Sequence, residues 1–240
     1  MAVHFVHIGK TGGTAIKHVL RPIFRSEAET ALGKVILHKG HTFKLEDVPR
    51  PDKAIFCVRD PLSLFVSAFH SRLRKGQPKF YFEWSPAEAV AFERFPTPQS
   101  LAEGLGSPDR ETRRAALAAM KAIQHIRGIR RFLGSPKQVM SHRRQIAYIG
   151  RQETLDDDWQ RIRALLELPE EIELPSDPKK AHRRATSGEP ALDARAEEIL
   201  RDYYRPDYDI IAACERLRVA NGWSGEPPNR RLALKIALGG

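Results

Sequence analysis

An α/β fold in three layers is predicted, with a central, mostly parallel sheet flanked by helices and a helical insertion over about residues 76–143. Three observations predict it. Short apolar runs such as "VHFVHI", "KVIL", "KAIFCV" and "RQIAYIG" have the length and the branched or aromatic content of buried strands. Segments of helical spacing follow the first, third and fourth of these, and strand-then-helix order favours parallel pairing under a helical cover. The intervening stretch "SPDRETRRAALAAMKAIQHIRGIRRFLGSP" is rich in alanine and arginine, both strong helix formers.

Val3 to Ile8 reads as the first strand. In the helix that follows, over 14–24, Ile16, Val19, Leu20 and Ile23 recur at steps of three and four, and Pro22 ends or bends it. "KVILHKGHTF" is a brief strand that breaks into a glycine loop. Ala54 to Val58 is apolar throughout and stops at Asp60-Pro61, a helix entry. The next helix, about 62–75, is expected to bury Leu62, Phe65, Val66 and Phe69. "RQIAYIG" is another buried strand, and a charged helix over "TLDDDWQRIRALLEL" comes next. "PSDPKKAHRRATSGEP" is a polar, basic loop. A helix from near Ala191 is expected to break at Pro206 and resume to about Ala220. A single domain is expected over 1–222, with a C-terminal tail over 223–240.

The chain has 240 residues, 41% of them hydrophobic, enough for one substantial core and too apolar for a disordered polymer. A formal charge of +10 and an isoelectric point near 9.8 imply an anionic partner, be it nucleic acid, an acidic polymer or a phosphorylated small molecule. The only cysteines, Cys57 and Cys214, make no disulfide framework, and neither has a second ligand at finger spacing, so no metal is expected. A strand begins at once and no apolar stretch is long enough to span a bilayer, so the expected location is cytoplasmic.

The first strand runs into "HIGKTGGTAI", a strand–loop–helix junction with one lysine, paired glycines and two threonines. A helix start offers unpaired N–H groups and a partial positive charge to an anion. Gly12 and Gly13 allow close backbone approach, Lys10 adds a full charge, and Thr11 and Thr14 offer hydroxyls. The triphosphate pattern G-x-x-x-x-G-K-[ST] is not met, because its first glycine falls on His4. "GKTGGT" does not supply the dinucleotide pattern G-x-G-x-x-G either. A second element lies in "FCVRDPLSLFVSAFHSRLRKG". There Arg59 at a strand end can fork onto a phosphate, and Ser67 stands eight residues on, about two helical turns away. Between the two elements, "LHKGHTF" holds His38 and His41, residues that titrate near neutral pH.

"HIGKTGGTAI" resembles the 5′-phosphosulfate loop of sulfotransferases that use 3′-phosphoadenosine 5′-phosphosulfate (PAPS). It is nearest to the carbohydrate branch, whose pattern is H-I-P-K-T-G-G-T-S, with Gly9 here where proline is frequent. The segment from Arg59 is similar to that family's 3′-phosphate element, with Leu64 replacing a frequent second arginine. "GHTF" resembles the G-H-V-S-F stretch of uronyl and heparan sulfate 2-O-sulfotransferases. "YIGRQETLDDDW" is similar to a V-G-x-x-E-x-L-x-D segment, and "HRRATSGEP" to the basic loop H-L-R-K-T, with Ala185 at its lysine. The chain also resembles bacterial sulfotransferase proteins.

The resemblance implies a P-loop-like fold, PAPS as donor and PAP (3′-phosphoadenosine 5′-phosphate) as product. It also implies a hydroxyl acceptor, a saccharide and one that the basic middle helix would favour as acidic. Lys10, Thr11, Gly12, Gly13 and Thr14 would hold the 5′ end, and Arg59 and Ser67 the 3′-phosphate. Arg184 and Thr186 would close over the nucleotide, and Lys10 and His41 would be catalytic, His41 as base. Two other readings stay open here. An ATP-dependent P-loop phosphotransferase would want Mg²⁺ and an acidic ligand after a strand, such as Asp60. A nucleic-acid-binding module would use "RRAALAAMKAIQHIRGIRR", although aromatic residues are not interleaved with those arginines.

Overall fold

The computed structural model describes residues 1–24, 29–30, 32–78, 80–175 and 191–225. Its strands are β1 (Ala2–Phe5), β2 (Glu29–Thr30), β3 (Gly33–Leu37), β4 (Lys53–Val58) and β5 (Ile146–Arg151). They form one sheet in the order β2-β3-β1-β4-β5. β1 pairs in parallel with β3 and with β4, and β4 with β5, while the two-residue β2 runs antiparallel at the edge. The α/β class and the mostly parallel sheet are therefore as the sequence predicts; β2 is too short to leave a periodic signal.

The helices are α1 (Gly13–Ile23), α2 (Pro61–Leu73), α3 (Pro86–Arg94), α4 (Pro98–Leu105), α5 (Arg110–Ala122), α6 (Arg130–Leu133), α7 (Pro136–Ser141), α8 (Leu155–Leu165), α9 (Ala194–Tyr203) and α10 (Arg205–Ala220). Among the described residues the chain divides into two units: 1–59, 129–175 and 209–225 in the first, 60–128 and 191–208 in the second.

In the first unit, alternate strand residues Val3, Phe5, Val35, Ile55, Cys57 and Tyr148 share a core with Ile16 and Leu20 of α1 and with Leu155, Trp159 and Ile162 of α8. Each large side chain buried this way contributes about 1.5–3 kcal/mol. The period of two on the strands and of three or four on the helices brings these positions together. Asp158, buried under β5, accepts from the Tyr148 hydroxyl at 2.5 Å and the Arg151 N–H at 2.8 Å, and pairs with Arg218 at 3.1 Å.

The second unit is helical. Asp60 caps α2 by accepting from the Ser63 N–H at 2.8 Å, and Pro61 opens the helix. Leu62, Leu64, Phe65 and Phe69 are buried, and Val66 is only half-buried, a correction to the expected helix face. Phe69 meets Phe92 edge-on at 5.2 Å. Arg72 forks onto the fully buried Glu88, Nε to Oε1 and Nη2 to Oε2 both at 2.8 Å. The Arg/Ala stretch is helical but divided: Asp109 caps α5, and Gly128 and Gly134 carry positive φ on either side of α6. On α5, Ala116, Ala119 and Met120 face inward and Arg110, Arg113 and Arg114 are exposed. The late helix breaks at Tyr204, not at Pro206; Pro206 lies in the first turn of α10, where its missing N–H costs nothing.

Candidate active site

β1 sits between β3 and β4, and the chain leaves these neighbours in opposite directions, from β1 toward β3 and from β4 toward β5. At such a reversal in a parallel sheet, the strand ends leave a crevice in which ligands bind. The residues delivered there are those that follow β1, 6–12, and Arg59, which follows β4.

The first loop is tightly determined. Val6 donates to the Ile55 carbonyl at 3.0 Å, keeping the chain along β4 after the strand ends. Thr11, 1% exposed, donates its hydroxyl to the Ile8 carbonyl at 2.9 Å, so that proton is used to close the loop rather than offered outward. Gly12 has φ 85 and caps α1 without a side-chain hydrogen bond; the Ala15 and Ile16 N–H groups return to its carbonyl at 3.0 and 3.4 Å. The amides of Gly13 and Thr14 precede those first bonds and stand at the positive end of the helix. A Cβ at Gly12 would lie 2.5 Å from Leu155 Cδ2, and one at Gly13 would lie 2.3 Å from His7 Cδ2. Lys10, half-buried, takes φ 66, a left-handed conformation that costs a non-glycine residue about 1–2 kcal/mol. Its carbonyl accepts from Arg59 Nη1 at 3.1 Å. The two elements, 49 residues apart in sequence, thus meet at the switch between β1 and β4.

Four histidines gather beside this loop. His41 Nδ1 lies 3.1 Å from the His7 carbonyl. A carbonyl only accepts, so Nδ1 carries the hydrogen and the neutral ring keeps its lone pair on Nε2. The His7 and His41 rings are 4.1 Å apart. Burial holds the His41 pKa below the usual histidine value, against the His7 hydrogen bond that raises it, and the charges of Lys17, Arg131 and Lys10 add to the lowering. His4 Nδ1 is 2.9 Å from His38 Nε2, and His4 Nε2 is 3.1 Å from Asp52 Oδ2. Asp52 accepts from His4, leaving His4 Nδ1 to accept from His38 Nε2–H, so neutral His38 holds its lone pair on Nδ1. Phe43 stacks on the His38 ring at 3.4 Å. Lys17 of α1, 6% exposed, donates to the His38 carbonyl at 2.5 Å.

Lys10, Thr11, Gly12, Gly13, Thr14, His41 and Arg59 therefore all belong to the first unit. Ser67 lies half-buried on α2, in the second unit. Arg184 and Thr186 lie outside the described residues. Both oxygens of Asp60 are engaged, Oδ1 by the α2 cap and Oδ2 by the Tyr208 hydroxyl at 3.1 Å. Lys17, Asp52 and the His4–His38 pair escape motif reading. The one signal for Lys17 is its spacing, four after Gly13 and three before Leu20 on the inward face of α1.

No curated protein and no solved structure is similar enough to match this chain. A family model described as "Sulfotransferase family" matches residues 2–210. That span takes in the glycine loop, the histidine loop and the Arg59 strand end together, so this α/β chain belongs to the sulfotransferase family, whose chemistry is sulfuryl transfer.

Proposed function

We propose that the chain moves the sulfuryl group of PAPS to a hydroxyl of an acceptor, a saccharide, by in-line displacement. The observation that carries this reading is the bond from Arg59 to the Lys10 carbonyl, which joins two cationic elements at one sheet switch point. PAPS supplies a sulfuryl group on a phosphate leaving group. The amides of Gly12, Gly13 and Thr14 and the hydroxyl of Thr14 bind the 5′ end. Thr11 shapes that loop through Ile8. Lys10 sets its ammonium against the negative charge that grows on the departing oxygen. Arg59 and Ser67 take the 3′-phosphate, Arg59 through paired donors. Arg184 and Thr186 close on the nucleotide. His41, with Nδ1–H fixed on the His7 carbonyl, takes the acceptor's hydroxyl proton on Nε2. Burial lowers its pKa, which favours the unprotonated, accepting form of that nitrogen.

The carbohydrate branch is supported by the resemblance of the loops, and an acidic sugar by the exposed arginines of α5. Residues 1–222 would act as one sulfotransferase domain, with the helical insertion shaping the acceptor side. No described helix is long and apolar enough to cross a membrane, and we place the activity in the cytoplasm. The test is transfer of radiolabelled sulfate from PAPS to a panel of neutral and acidic oligosaccharides, with His41→Ala in parallel. Label transfer that His41→Ala lowers at least a hundredfold supports the reading; equal transfer by both proteins refutes the base.

A further inference from the structure

We infer that Lys17 is a positioning residue of this site, tying the helix of the phosphate loop to the histidine loop and setting a fixed cation beside His38 and His41. The inference rests on the reading of His41 as the base. Lysine is almost never fully buried unless paired. Here Lys17 as a residue is 6% exposed, and among the described residues its ammonium pairs with the His38 carbonyl rather than with a carboxylate. Burying an ammonium costs several kcal/mol, and an apolar residue at this inward position of α1 would avoid that. Burial and then Arg21, one turn along α1, both press the Lys17 pKa down.

What the charge does follows from the groups that face the two imidazoles. Around His41 stand the His7 ring and carbonyl, Lys17 of α1, Arg131 of α6 and Lys10 of the loop. Around His38 stand His4, backed by Asp52, with the Phe43 ring, Lys17 and Asp47. Burial is the leading cause that lowers both rings. Among the described residues Lys17 is the cation that acts on both, and Asp47 opposes it at His38. A proton arriving on either ring meets Lys17, which favours the neutral, accepting form. Lys17 starts its turn four residues after Gly13, so the same side chain links the anion-facing end of α1 to the segment that carries the base.

The test is NMR titration of the histidine rings of the full chain saturated with PAP, in wild type, Lys17→Met and Lys17→Arg, with His41→Asn to assign His41. Lys17→Met is expected to raise the His41 pKa by about half a unit or more, while Lys17→Arg stays near wild type. A His41 pKa that is unchanged or lower in folded Lys17→Met overturns the inference. Should Lys17→Met fail to fold, the wild-type Lys17 ammonium decides it. A slowly exchanging resonance is expected; one that exchanges and titrates like a surface lysine overturns the inference. Failure of the base reading looks different: His41→Ala would keep transferring sulfate while the Lys17-dependent shift persists.

Discussion

Replacing Gly12 with alanine tests the loop geometry against an internal control. Gly12 and Gly40 share a left-handed backbone, φ 85 and φ 67, so alanine at either costs about 1–2 kcal/mol in backbone strain. They differ in what a methyl would meet. At Gly40 nothing lies within 4 Å, whereas at Gly12 the new carbon would stand 2.5 Å from Leu155 Cδ2 and 3.1 Å from Cδ1. Leu155 is packed in the core with Trp159 and Ile16, and displacing it there costs a further ~1–3 kcal/mol. Gly12→Ala is thus expected to lose about 2–5 kcal/mol and Gly40→Ala about 1–2. For a chain of this size each kcal/mol moves the thermal midpoint by about 2–4 °C. Scanning calorimetry on the two variants should therefore separate their midpoints by several degrees. Gly12→Ala should also lose PAP binding, because Leu155 and the loop cannot both keep their places. Equal midpoints for the two variants would refute the packing argument.

Arg59→Ala removes charged hydrogen bonds, and losing even one of them, worth about 1.5–3 kcal/mol, should raise the Kd for PAP at least about 10- to 100-fold by calorimetry; an unchanged Kd refutes its placement. Lys10→Ala should keep most PAP affinity and lose turnover about 10²- to 10³-fold in a sulfate-transfer assay. His41 sits below its ordinary value of 6.5, so above that pH folded and unfolded rings are both neutral. As pH falls below it, the unfolded chain takes the proton first and stability drops. Urea titrations from pH 7.5 to 5 should show this fall, and His41→Gln should flatten part of it. Arg72→Met leaves Glu88 buried and unpaired, a loss of about 3–5 kcal/mol in urea unfolding. Burial alone would push Glu88 up, but Arg72 and the Ser85 and Gln124 N–H groups hold it down to about 2. The pair's contribution is therefore present above the usual glutamate value of 4.5 and disappears as pH falls from there toward 2.

The fold was legible where chemistry repeats along the chain. Alternation in 3–5, the unbroken apolar run 54–58 and the four-residue spacing of Ile16 and Leu20 mark a parallel sheet under helices, and Asp60-Pro61 marks the start of α2. Punctuation was less legible: Pro206 reads as a break but serves as a helix start, and the division of the Arg/Ala stretch depends on glycines at positive φ. In the site, the glycine loop, Arg59 and His41 stand out because short motifs announce them. The chain Asp52–His4–His38 does not, since His4 inside β1 meets residues 34 and 48 away, at the ends of neighbouring strands, only through sheet order. Lys17 is similar: its charge looks like that of any helix lysine until the fold buries it.

The central claim is that the loop after β1 and Arg59 grip one adenosine bisphosphate. Titration calorimetry of the chain with PAP and with ATP, each with and without Mg²⁺, tests it most directly. The account predicts saturable PAP binding that needs no metal, is far tighter than ATP binding and is weakened in Arg59→Ala. Binding of ATP as tight as that of PAP, or PAP binding indifferent to Arg59→Ala, would contradict it.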